Sequence, residues 1–214
     1  MKLHLLAPVA LAAAFALPAH ALLVTDVGAL SGPVNVIDFE AFDGLLTSGP
    51  EFLAPTLVFT GDSNAELGAN VRDLGDNGVW GVGNRFAAGG AAGELRFTFA
   101  AGLASASAGA FVSHFAFDAL PFALTVEVSA YGDNNQIIET HSFIVDKTVD
   151  DYNAGQFLGI SRASADIRSI AFKGVGVVAD DFSFTTPVPE PGTWALMLAG
   201  IAGVGFVAAR RRAS

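Results

Sequence analysis

The residues of this 214-residue chain whose types and spacing bear most directly on chemistry are carboxylates. Asp180 and Asp181 are adjacent in the run Val175 to Phe184, which alternates like a strand, so their side chains are expected on opposite faces. Phe182 and Phe184 share the parity of Asp180, which places that carboxylate on a phenylalanine face. An ionised carboxylate buried alone is costly enough to require a cation or several hydrogen-bond donors. Asp38 and Glu40 close an earlier apolar run, Val34 to Phe39. The competing reading is that all four acids are solvated or satisfied by backbone N–H groups.

Other chemistries find little material. The exported region holds two histidines, His114 and His141, and no serine in a Gly-x-Ser-x-Gly elbow. His141 alternates with Glu139 and Phe143 and reads as a surface or satisfied side chain. Gly81-Val-Gly83 lacks the third glycine of a dinucleotide loop, and Asp76-Asn-Gly78 reads as a tight turn rather than a calcium loop. Glycoside hydrolysis needs two carboxylates about 5–9.5 Å apart across a cleft, and the sequence singles out no such pair. Trp80, beside Gly78, Gly81 and Gly83, is either a sugar-stacking platform or a core anchor.

The elements that must position these groups are short strands. Phe122 to Tyr131 sets Phe122, Leu124, Val126, Val128 and Ala130 on one face against Thr125, Glu127 and Ser129 on the other. Gly132-Asp-Asn-Asn135 turns the chain into Gln136 to Val145, its expected hairpin partner. Further strands are expected at Val34 to Phe39, Thr56 to Thr60, Glu94 to Phe99, Phe111 to Phe117, Ile167 to Lys173 and Val175 to Phe184. Turn clusters at 44–50, 61–64, 75–78 and 150–155 separate them. The segments Ala87 to Ala92 and Ala100 to Ala110 carry side chains too small to build a core, and read as loops or tight sheet corners; the first reads alternatively as the lining of a ligand groove. With no long helical period and eighteen phenylalanines, the fold class is all-β, an antiparallel β-sandwich of jelly-roll-like form.

Both ends of the chain read as addresses. Lys2, the apolar run Leu5 to Leu17 and Ala19-His-Ala21 make residues 1–21 a secretory signal peptide cut after Ala21. Residues 194–209 are sixteen consecutive residues without a charge, followed by Arg210, Arg211 and Arg212. As a helix rising ~1.5 Å per residue this run is somewhat shorter than the ~30 Å hydrocarbon core, a gap that local thinning and snorkelling arginines close. The positive-inside rule keeps residues 210–214 in the cytoplasm and the folded region outside. Residues 187–193, with Pro189, Glu190 and Pro191, form an extended linker between them.

The remaining region, 22–186, is long enough for one domain with a sizeable core. It carries 7 basic against 20 acidic residues, a net charge of minus 13, where the whole chain carries minus 10. A phosphate backbone requires a basic footprint, so nucleic acid is excluded as a partner, whereas cations and neutral hydroxyl-rich polymers are compatible. The absence of cysteine excludes disulfides, thiolate nucleophiles and sulfur-based zinc sites.

Pro189-Glu-Pro191, the apolar span and Arg210-Arg-Arg212, in that order, resemble the PEP-CTERM sorting signal of bacterial exosortase substrates. The resemblance covers about an eighth of the chain. It implies processing at the Pro-Glu-Pro region by an exosortase, loss of the membrane anchor, and transfer to the cell surface or exopolysaccharide matrix of a Gram-negative bacterium. The folded region is similar in outline to the sandwiches common in this class, through Val36-Ile-Asp-Phe-Glu40, Asn77-Gly-Val-Trp-Gly-Val-Gly83, Glu94-Leu-Arg-Phe-Thr-Phe99 and Ala179-Asp-Asp-Phe-Ser-Phe184. Its resemblance to jelly-roll carbohydrate-binding domains implies a structural calcium ion joining the first and last strands through Asp38 or Glu40 and Asp180 or Asp181. The expectation is a non-enzymatic surface or matrix protein that binds extracellular polysaccharide. The alternatives are a secreted polysaccharide hydrolase and a purely structural matrix protein.

Overall fold

The computed structural model describes residues 22–70, 85–90, 93–114, 124–145, 155–189 and 200–202. The signal peptide, Trp80 with its surrounding glycines, Glu190, Pro191 and Arg210 to Arg212 lie outside the described residues. So does the expected membrane helix, except for a helical stretch at 200–202. No helix among the described residues is long and apolar enough to cross a membrane.

Sixteen strands are described, in chain order β1 (Leu22–Val24), β2 (Val34–Ile37), β3 (Leu45–Leu46), β4 (Glu51–Ala54), β5 (Leu57–Gly61), β6 (Glu66–Ala69), β7 (Phe86–Ala88) and β8 (Gly93–Phe99). They continue as β9 (Leu103–Ala104), β10 (Ser107–His114), β11 (Leu124–Tyr131), β12 (Ile137–Val145), β13 (Gln156–Ser161), β14 (Ser169–Gly174), β15 (Val177–Thr185) and β16 (Val188–Pro189). One sheet runs β1-β13-β10-β15-β7-β6-β3, with β2 also on β15, and the other runs β12-β11-β14-β8-β5-β4. Every pairing is antiparallel, and β9 and β16 form a separate pair.

Phenylalanine joins the two sheets. Leu95, Phe97 and Phe99 on β8 alternate with Glu94, Arg96 and Thr98, and the apolar set enters a core shared with Phe182 and Phe184 of the opposite sheet. The Phe97 ring stacks on Phe182 at 4.1 Å between centroids and also meets Phe39, Phe59 and Phe172. Val126, Val128 and Ala130 fill the same core from β11, on the face that the alternation predicts. The expected hairpin of β11 and β12 is present, with Val126 opposite Phe143 and Val128 opposite His141.

The small-residue segments differ from expectation. Phe86–Ala88 is a buried strand rather than a loop, and Ser107–Ala110 begins β10, an interior strand of its sheet. Small side chains serve close backbone approach here. A Cβ on Gly109 would lie 2.7 Å from the Cα of Gly159, its partner on β13, and 2.8 Å from the Phe157 ring. The β13 strand itself, and β3 within the cluster at 44–50, are strands that local pattern does not disclose.

Asp180 is also placed differently. Gly109 faces Ser183 and Phe111 faces Asp180, so three steps along β15 match two along β10. The extra residue is a bulge at Asp181, whose φ of 46° lies in the left-handed region that aspartate tolerates. Val177 and Ala179 before the bulge, and Phe182 and Phe184 after it, all reach the inter-sheet core, whereas Val178 joins a cluster on the other face with Phe86 and Ala88. Asp180 therefore follows Val178 and not the phenylalanines. The parity argument fails because one inserted residue inverts every side chain beyond it.

Candidate functional site

Two polar arrangements stand out. The first is on the edge of β15, where two strands share one side. Residues Phe182 to Thr185 pair with β2, Val178 and Ala179 pair with β7, and the bulge at Asp181 falls between them. The register places Ile37 opposite Phe182, so Asp38 and Glu40 follow β2 directly into this gap. Phe39 lies between them with φ of 58°, an uncommon conformation for a bulky residue, and its ring is buried against Phe97.

The acids are thus separated from the core by Phe39 and brought towards Asp181. Burial raises the Asp181 pKa above its ordinary value of 3.8, and the charges of Asp38 and Glu40 raise it further. Asp38, Glu40 and Asp180 each also accept from a backbone N–H. Asp38 Oδ1 accepts from Glu40 N–H at 3.2 Å, Glu40 Oε1 from Arg85 N–H at 2.9 Å, and Asp180 Oδ1 from Asp181 N–H at 2.7 Å. The Arg85 guanidinium turns to Asp43 at 2.5 Å and to the Gly68 carbonyl at 3.1 Å. Among the described residues no group of three or more histidines, aspartates or glutamates is arranged to hold a metal ion. The structure therefore brings Asp38 and Glu40 within electrostatic reach of Asp181, and the bulge turns Asp180 off the phenylalanine face.

The second arrangement is an open cleft of about 400 Å³ bounded by β8, the start of β14 and the turn between β11 and β12. Arg96 extends outward from β8 and lies with its guanidinium carbon 3.8 Å above the Tyr131 ring. To reach it the side chain crosses β14, where Ser169 and Ala171, the residues in register with Tyr131 and Arg96, are small. Arg96 Nε donates to Glu94 at 2.9 Å and its Nη1 to Asn135 Oδ1 at 2.5 Å. Arg168 Nε donates to Asp133 at 2.9 Å and its Nη1 to the Leu103 carbonyl at 2.7 Å. Arg168 is fixed through its backbone as well, its N–H donating to Tyr131 and its carbonyl accepting from Phe99. These residues were not singled out in the sequence as ligand contacts; the outward parity of Arg96 and the Asp-Asn-Asn turn are the only local signals of the cleft.

His141 Nε2 lies 3.0 Å from Glu139 Oε1 on the edge strand β12, and His114 is buried on β10.

At the C-terminal end, the chain leaves β15 and stays extended, and Val188 and Pro189 pair with Ala104 and Leu103. The expected linker thus begins as a strand against the domain, which proline permits at an edge because only its missing N–H is lost. From here to residue 212 the sequence matches a family model. Residues 187–212 match the PEP-CTERM protein-sorting motif. The chain carries a PEP-CTERM sorting signal. That PEP-CTERM signal marks it as an exported protein processed by exosortase and sorted to the cell envelope or surface. Comparison with curated proteins gives no match. Among solved structures, the crystal structure of a DUF4465 family protein from Bacteroides caccae is similar, with 9% identity, a TM-score of 0.45, and coverage of 74% of this chain and 100% of that one.

Proposed function

We propose that this protein is a non-enzymatic, jelly-roll-like sandwich that reaches the cell surface through its PEP-CTERM signal and associates there with extracellular polysaccharide. The observation that carries this reading is the sorting motif at 187–212, placed immediately after the last long strand of the domain. Before processing, residues 194–209 anchor the chain in the inner membrane with Arg210 to Arg212 on the cytoplasmic side. Cleavage then releases the sandwich. The jelly-roll-like form is supported by the way successive strands change sheets, with β8, β11 and β14 in one and β10, β13 and β15 in the other.

Calcium has a structural part in this reading. No three-carboxylate cluster is preformed among the described residues, so the ion would be held by Asp181 with Asp38 or Glu40 and backbone carbonyls, and the charges that raise the Asp181 pKa are what a cation would offset.

Replacing Pro189, Glu190 and Pro191 together by alanine tests the sorting step in cells. The variant is expected to remain in the membrane fraction at its unprocessed length, while the parent chain appears shortened at the surface or in the matrix. Unchanged shortening and release in the variant would remove the Pro-Glu-Pro motif from the processing step.

A further inference from the structure

We propose that the cleft between Arg96, Arg168 and the Asp133–Asn135 turn binds a neutral, hydroxyl-rich saccharide; this inference rests on the proposed association with polysaccharide and assigns it a site. Its first ground is charge. Each guanidinium faces a carboxylate, Arg96 with Glu94 and Arg168 with Asp133, so the cleft is formally balanced. It belongs to a region carrying minus 13, whose field repels a polyanion and leaves an uncharged polymer unaffected.

The second ground is the fixed alternation of donors and acceptors. Arg96 is held through Nε and Nη1, and its Nη2 has no protein partner among the described residues. That group directs two N–H donors from a side chain already immobilised by the Tyr131 ring. Asp133, largely exposed, adds carboxylate acceptors, and Asn134 adds an amide with both functions. Neighbouring hydroxyls on a sugar ring each donate and accept, so they match such a mixed set better than a uniform one. Asn134 and Asn135 lie in left-handed conformations with φ of 54° and 59°, and the Asn135 amide is held by the Arg96 guanidinium.

The third ground is shape. Ala100, Ala101 and Gly102 line the cleft with small groups beside the polar turn, which leaves room for a sugar ring. The volume is within the range of about 300–1,000 Å³ usual for small-ligand sites, and the cleft opens to solvent, so a polymer can pass through it.

The test uses the full chain purified in detergent and titrated calorimetrically with maltohexaose, cellohexaose, laminarihexaose and, as the acidic counterpart, hexagalacturonate. At least one neutral hexasaccharide is expected to bind, and hexagalacturonate at least about ten-fold more weakly. Two variants locate the site. Asn134→Gly with Asn135→Gly removes both amides while keeping the left-handed turn, and Ala101→Trp fills the cleft from its small-residue side. Each is expected to weaken neutral binding by about ten-fold or more while the protein still unfolds in one cooperative transition above the assay temperature. Neutral binding that survives in both variants would overturn the site and leave the polysaccharide reading standing. Preferential binding of hexagalacturonate would overturn the ligand class. Absence of binding by all four probes would overturn the inference, and the broader reading falls with it only when the released protein also fails to co-sediment with isolated exopolysaccharide.

Discussion

The gap beside Asp181 and the cleft beside Arg96 are built from the same residue types and differ in how charge is compensated. In the cleft, both cations have a carboxylate at 2.9 Å. In the gap, the charges of Asp38 and Glu40 act on Asp181 while the nearby Arg85 guanidinium is engaged by Asp43. Opposite charges are paired in the cleft, whereas like charges beside Asp181 raise its pKa. One region is thereby compensated within the protein, and the other is where a cation would act in the proposed reading.

Calcium should separate the two regions most strongly. An ion bound only by the native state at a hundredfold its dissociation constant adds about 2.7 kcal/mol, which in a protein of this size is a rise of roughly 5–10 °C in melting temperature. Millimolar calcium is expected to produce such a rise in the full chain, chelator to reverse it, and Asp181→Asn to abolish it, with Arg96 variants retaining it. An identical melting temperature in calcium and in chelator would leave the acids as a surface satisfied by backbone N–H groups.

Removing charge should act in opposite directions at the two places. Arg96→Ala loses the contact with Tyr131, the Glu94 pair and the Asn135 hydrogen bond, and is expected to destabilise by about 1–2 kcal/mol in urea unfolding. Asp181→Asn removes a repelled charge and is expected to stabilise at neutral pH in the absence of calcium, by no more than ~1 kcal/mol. Matching signs for the two variants would break the comparison.

The smallest effect is in pH. Because the folded-state pKa of Asp181 is raised, the native state holds this proton more tightly than the unfolded chain does. Its contribution is therefore greatest below the ordinary value of 3.8 and is lost as pH rises through the raised value. Subtracting the stability–pH curve of Asp181→Asn from that of the parent should isolate a fall with rising pH in that window. A difference curve that rises instead would contradict the burial and the repulsion together.

Much of the layout was legible in local pattern. Alternation in Glu94-Leu-Arg-Phe-Thr-Phe99 set Phe97 inward and Arg96 outward, and the Gly-Asp-Asn-Asn turn announced the hairpin of β11 and β12. The sorting signal was complete in sequence, because a recognition motif and an apolar span followed by arginines are contiguous properties of a chain. Strands made of alanine, glycine and serine were not legible, since their fitness for a sheet interior lies in the backbone that approaches them, as Gly159 approaches Gly109.

What the sequence determined by itself was therefore the strand-rich class, the core-facing phenylalanines and the exported destination, all consequences of near-neighbour periodicity or contiguous motifs. Tertiary structure alone decided which polar residues meet. The register of β2 on β15 brings Asp38 towards Asp181, the bulge at Asp181 takes Asp180 off the phenylalanine face, and the order β11-β14-β8 brings Arg96 beneath a turn 39 residues away. Each depends on a pairing between distant strands, and a single inserted residue reverses its outcome, so no local pattern contains it.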